Sequence, residues 1–260
     1  PYFAAPTPAQ PGLSQPTGTP PTTAVKTDDG LVSLPPATVA AVTGIPTPIP
    51  TQWFGWKPSG GGTTIRGIGI TDATVVSLGA AVANNNQTTG SYVQVTGDGL
   101  NGRGAVEAES GATVQVRQEP TIEFEVITGP DLTALRIWIE LTDQANGSAN
   151  SDTAGGSTLA FNFSTVVGGS SWTALVRDGA TQAARQAVAP IAASTYYKLK
   201  IRVASSIAYF SVNGGVEVSF SANLPAAATN LRPNVVIHGT VGNTDNKAIS
   251  VGAMWASYGL

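Results

Sequence analysis

From about residue 63 to the end, apolar and polar residues alternate almost without interruption. The alternation runs through 91–95, 104–109, 112–117, 121–127, 135–141, 159–163, 197–203, 207–212, 216–220, 233–238 and 249–255. A period of two turns one side of an extended chain toward a core and the other toward water, which is the signature of antiparallel strands. Many short strands at regular intervals, parted by Gly, Asn and Pro, predict an all-β antiparallel sandwich or barrel. Asn213-Gly214 stands between two such stretches, and both residues tolerate the positive φ of a type I′ turn, so a tight hairpin is expected there. Helical periodicity is nearly absent; the Ala-rich stretch 182–189, stopped by Pro190, reads as a short helix or a strand. Trp138, Phe161, Phe163, Phe210, Phe220 and Trp255 fall inside alternating stretches and are expected in the core.

The first sixty residues follow a different rule. Thirteen of the 18 prolines lie in residues 1–62. Proline lacks an N–H and fixes φ, which bars it from helix interiors and central strands and favours extended backbone. Residues 1–62 are therefore expected to be an extended N-terminal arm, with Gly60-Gly61-Gly62 as a hinge. The body is 63–260, either one sandwich or a small β unit at 63–118 beside a jelly roll at 119–260. An arm with no core of its own needs apolar partners. Tyr2 and Phe3 at its tip, and Trp53, Phe54 and Trp56 near the body, are the expected anchors, because large rings bury much area at small entropic cost.

Composition narrows the function. Charged residues are 11% of the chain, against roughly 25% in an ordinary soluble domain. So sparse a charge suggests a surface engaged with neighbours, or one wetted by Thr, Ser, Asn and Gln. The net charge of −3 and the lack of Lys/Arg runs argue against nucleic acid. No apolar stretch approaches the ~18 residues of a spanning helix, so no membrane segment is expected. The absence of cysteine excludes disulfides, thiol catalysis and zinc–thiolate sites. A chain starting at Pro1 fits removal of an initiator methionine, hence synthesis in the cytoplasm.

From about residue 122 to 260 the order of features resembles the concanavalin A-like (laminin-G-like) jelly-roll family. The likeness rests on the long strand 196–203, the strand 207–212 with its Asn213-Gly214 turn, the strand 216–220, Asn230-Leu231-Arg232-Pro233 before 235–238, and a last strand carrying Trp255. Together with the arm, the chain resembles a structural protein of a tailed bacteriophage particle. That resemblance implies a virion location and, first, a capsid decoration (cement) protein. Its arm would lace the major capsid protein and further copies of itself, as an oligomer such as a trimer. A tail- or fibre-borne module that binds surface glycans is the alternative, and a glycan-cleaving enzyme is the third reading.

Glu107 with Glu109 and Glu123 with Glu125 have the spacing of two that puts both carboxyls on one strand face, as glycoside hydrolysis requires. Apolar residues on the alternate positions make a solvated strand face the simpler account, and no catalytic residue is assigned. His238 is the single histidine and lacks a Gly-x-Ser-x-Gly nucleophile elbow. Asp143, Asn146, Asn150 and Asp152 offer oxygen ligands without a calcium-loop spacing, so no metal and no cofactor is expected. The polar runs 84–87 and 243–246 read as turns. Lys198, Lys200 and Arg202 share one strand face, where they can meet a partner surface or pair with Glu on the next strand.

Overall fold

The computed structural model describes the side chains of residues 54–55, 103–108, 112–145, 147–241 and 247–259, and the backbone of strands at 25–26, 32–33, 51–58, 65–68, 74–78, 82–87 and 90–97. The chain divides into two compact units, Pro1–Pro48 and Ile49–Leu260. In the first, strands β1 (Val25–Lys26) and β2 (Val32–Ser33) pair antiparallel. Tyr2 and Phe3 lie outside the described residues.

The second unit consists of β3 (Thr51–Pro58), β4 (Ile65–Ile68), β5 (Thr74–Leu78), β6 (Val82–Gln87), β7 (Gly90–Gly97), β8 (Arg103–Glu107), β9 (Thr121–Thr128), β10 (Leu135–Thr142) and β11 (Ser157–Ser164). It continues with β12 (Ser171–Asp178), β13 (Gln186–Pro190), β14 (Tyr196–Ala204), β15 (Ile207–Val212), β16 (Val218–Phe220), β17 (Arg232–Gly239) and β18 (Lys247–Gly259). One sheet has seven strands in the order β13-β12-β11-β10-β17-β8-β5. The other has nine: β16-β15-β14-β9-β18-β3-β4 form a row, and the β6–β7 hairpin joins the first half of β18. Every pairing is antiparallel. Among the described residues the one helical piece is a 3-10 turn at Val116–Gln118, where alternation predicted strand. Only Val114 of that stretch pairs, with Leu231.

The core lies between the sheets. Phe161 of the seven-stranded sheet meets Phe210 of the nine-stranded sheet edge-on at 5.4 Å, Phe210 meets Phe220 at 5.6 Å, and Trp172 meets Tyr197 at 5.6 Å. The hairpin at Asn213-Gly214 has both residues at positive φ, 52° and 71°, as expected. Of the stretch 182–189, residues 186–189 join the edge strand β13 and Gln182 makes an isolated bridge to Arg177.

Three expectations change. The boundary falls at Pro48/Ile49 rather than at the Gly60–Gly62 hinge, because β3 pairs with β18 and β4 inside the sheet. Phe54, expected as an anchor on other chains or as a plug against its own sandwich, does the latter: it is 2% exposed and packs edge-on against Tyr258 at 5.9 Å. The prolines on either side had hidden a strand, and Pro58 is tolerated at its very end. Of Trp53 and Trp56 only the backbone, in β3, is described. Finally, β10 and β11 are buried at every position instead of every second one. Residues 143–145 and 147–156 lie as a strap over the outer side of β10 and β11, bonding Glu140, Arg136 and the Gly239 carbonyl, and cover the side that alternation had assigned to water.

Candidate functional site

Two outer faces carry chemistry. On the nine-stranded sheet, strand register builds a row across β18, β9 and β14: Trp255 lies opposite Glu123, and Glu123 opposite Lys200. Neighbouring strands are about 4.8 Å apart, so an indole, a carboxylate and an ammonium are placed side by side. Trp255 is 43% exposed. Alternation counted back from Ile249 points it inward, with Val251, but the β18–β9 register shifts between Val251 and Met254. That irregularity resets the phase: Met254 and Ala256 enter the core and Trp255 turns out. Across β18 its register partner on β3 is Gly55, whose Cβ, were there one, would stand 2.9 Å from Trp255 Cε3. Glycine there lets the ring lie across the neighbouring strand.

Trp255, Glu123, Thr121, Ala256 and Ser257 line an open groove of about 420 Å³. Lys198 Nζ stands 3.0 Å from Glu123 Oε2, and Lys200 Nζ 3.7 Å from Glu123 Oε1. The hydrogen bond to Glu123 holds the Lys198 ammonium above its ordinary range. Arg202 makes a two-pronged pair with Glu217, at 2.6 and 3.3 Å, and its guanidinium lies 3.9 Å from the centre of the Tyr209 ring. The basic stripe thus meets carboxylates of its own sheet. Among the described residues, Glu123, Glu125 and Glu217 stand with Lys198, Lys200 and Arg202, and Tyr196 adds a second exposed ring.

The outer side of β10, β11 and β17 in the seven-stranded sheet is covered. Glu140 on β10 has no exposure, and Ser148 of the strap donates to it twice at 2.6 Å, from its N–H to Oε1 and from its hydroxyl to Oε2. Burial pushes the Glu140 carboxyl up to about 7 despite those bonds. His238 on β17 donates from Nε2 to the Ser148 carbonyl at 3.0 Å, which fixes the Nε2–H tautomer. Burial pushes that imidazole down to about 4. Arg103 and Glu107 pair at 2.6 Å, and Arg136 holds Asp152 through two bonds of 2.8 and 2.9 Å and also bonds Asn150.

These contacts decide several sequence candidates. His238 bonds the carbonyl of Ser148 and not its hydroxyl, so no serine–histidine relay is assembled. Glu107 is buried against Arg103, Glu123 is engaged by two lysines, and Glu109 lies outside the described residues. Asp152 and Asn150 turn to Arg136, while Asp143 accepts from the Ser157 N–H at 3.0 Å; Asn146 lies outside the described residues. No group of three His, Cys, Asp or Glu is placed to hold a metal ion among the described residues. Sequence reasoning put Trp255 in the core and did not single out Glu140, Ser148 or Gly55. The one available signal for Trp255 was the Gly252-Ala253 pair, where small residues make room for a phase slip.

No known family model matches the chain, and no curated protein matches it in sequence. Solved structures match in fold. The carbohydrate recognition domain of Emp46p, in a potassium-bound form, aligns with a TM-score of 0.53 at 13% identity, over 71% of this chain and 87% of its own. A protein of unknown function from Shewanella oneidensis, SO2946, aligns at 0.53 and 12% identity, over 88% and 95%. A family 7 alginate lyase, A1-II′, aligns at 0.49 and 14%, over 80% and 92%. Likeness at this identity is one of fold: the β body is an antiparallel jelly-roll sandwich of the lectin-like kind.

Proposed function

We propose that the β body is a non-catalytic glycan-binding module whose binding surface is the outer face of the nine-stranded sheet around Trp255. The observation that carries this reading is the exposed indole turned out of β18 beside an open, mostly apolar groove edged by Glu123, Thr121 and Ser257. An indole face is apolar and stacks on the C–H face of a pyranose, while Glu123, Thr121 and Ser257 offer acceptors and donors for ring hydroxyls. The flat, open groove suits an extended chain better than a single terminal sugar. The lectin-like fold, shared with a carbohydrate recognition domain, adds support. The sequence reading ranked capsid decoration above glycan recognition, and the exposed groove reverses that order.

The Pro-rich residues 1–48 are proposed as the attachment segment, with Tyr2 and Phe3 as anchors on a phage particle. This part rests on their composition alone.

The test is a glycan array probed with the full chain and with Trp255→Ala. Binding to one family of glycans, lost in the variant, is expected. Equal binding by the two proteins, or none by either, defeats the proposal.

A further inference from the structure

The row that holds Trp255 and Glu123 runs on to Lys200 of β14, and Lys200 differs from the other cations of this face. Lys198 hydrogen-bonds Glu123 Oε2 at 3.0 Å, and Arg202 is held by both oxygens of Glu217. Lys200 Nζ stands 3.7 Å from Glu123 Oε1, which is too long for a direct hydrogen bond. An ammonium carries three donors, and a carboxylate oxygen accepts more than one hydrogen bond. The two side chains are partly exposed, at 35% and 31%, so the pair keeps hydrogen-bonding capacity toward solvent beside the Trp255 groove.

A hydroxyl both donates and accepts. Two hydroxyls on adjacent carbons of a pyranose therefore fit this pair: one donates to Glu123 Oε1 and its neighbour accepts from Lys200 Nζ. Both bonds are charge-assisted, the stronger kind. Such a diol leaves the ion pair together. A sugar carboxylate or sulfate would instead compete with Glu123 for Lys200 and be repelled by it, so the arrangement favours a neutral sugar.

We propose, resting on the glycan reading above, that Glu123 and Lys200 grip the adjacent hydroxyls of one ring of a neutral 1,4-linked pyranose chain whose preceding ring stacks on Trp255. Linkage follows from the chemistry of the diol. An interior ring of a 1,4-linked chain keeps free hydroxyls on its second and third carbons, which are neighbours. In a 1,3-linked chain the linkage occupies the third carbon of each interior hexose, and no adjacent pair remains on the ring. The chain runs across the strands, from β18 over β9 toward β14. Strands lie about 4.8 Å apart, close to the advance of one ring in an extended chain, so successive rings meet successive strands. Lys200 thus becomes the residue that sets linkage specificity, while Trp255 supplies stacking common to any pyranose.

Calorimetric titration of the full chain separates these roles. The probes are the neutral 1,4-linked cellohexaose, mannohexaose and xylohexaose, with the 1,3-linked laminarihexaose and the acidic 1,4-linked hexagalacturonate as contrasts. At least one neutral 1,4-linked probe should bind on the order of tenfold more tightly than either contrast, the worth of one charge-assisted bond. Lys200→Ala should bring that probe down to the level of laminarihexaose and leave laminarihexaose itself unchanged. Trp255→Ala should weaken every probe that binds. If a contrast binds as well as the neutral 1,4-linked probes, or Lys200→Ala keeps the preference, the diol grip is overturned; the glycan reading stands in that case, provided that Trp255→Ala abolishes binding. Binding that Trp255→Ala leaves intact, or no binding of any probe, overturns the reading and the grip together.

Discussion

At the residue scale, function turns on side chains that break the sheet's own alternation. Trp255 is apolar yet faces solvent, and Glu140 is charged in ordinary solution yet fully buried. The first is the surface proposed for a ligand, and the second holds the Ser148 segment over the sheet. Because Trp255 is removed from the core, Trp255→Ala should leave stability within about 1 kcal/mol of wild type, read by guanidinium denaturation. It should weaken glycan binding by on the order of tenfold or more, as expected for the loss of one well-stacked aromatic. Phe210→Ala is the contrasting control. Its ring touches Phe161 across the sandwich and Phe220 beside it, so truncation should cost about 3–5 kcal/mol in the same measurement. The ion pairs Lys198–Glu123 and Arg202–Glu217 are exposed enough that breaking either should change stability by no more than about 1 kcal/mol.

At the element scale, β3 and β18 decide where the body begins and what it shows. β18 pairs with β9 along one edge, and its other edge is shared by β7 and then β3. Removing residues 1–48 should leave a folded sandwich, while removing 1–62 takes away β3 with Phe54 and bares an edge of β18. The longer deletion should aggregate or lose its cooperative thermal transition; equal melting of the two truncations would show that β3 is dispensable. Alternation over 121–141 and 196–220 was legible because these strands have one apolar side and turn residues between them, and the Asn213-Gly214 hairpin was specified by two adjacent residues. β3 was not legible, since prolines flank it and only three aromatics mark it. The outward turn of Trp255 depends on a phase slip that a count of alternating residues passes over. The burial of β10 and β11 on both sides depends on a strap whose own sequence is that of a polar loop, and whose fit to the sheet comes from Ser148, Asn150, Asp152 and Ala154 meeting partners far along the chain.

At the scale of the whole molecule, the two outer faces of the sandwich differ in what they expose. The middle of the seven-stranded sheet is covered by residues that tie to Arg136 and Glu140. The described part of the nine-stranded sheet, around β9, β14 and β18, presents balanced charge and exposed rings. Balanced charge predicts that glycan binding changes little between low and physiological salt, unlike a contact driven by net charge; a steep salt dependence in calorimetric titration would instead indicate an anionic polymer held by the lysines. The most direct measurement of the central claim is the indole N–H spectrum of the protein during titration with an oligosaccharide selected on the array. The Trp255 signal should shift progressively while those of Trp138 and Trp172, fully buried, stay in place. A titration that leaves Trp255 unmoved and perturbs Trp138 would put the ligand on the opposite sheet and contradict the account.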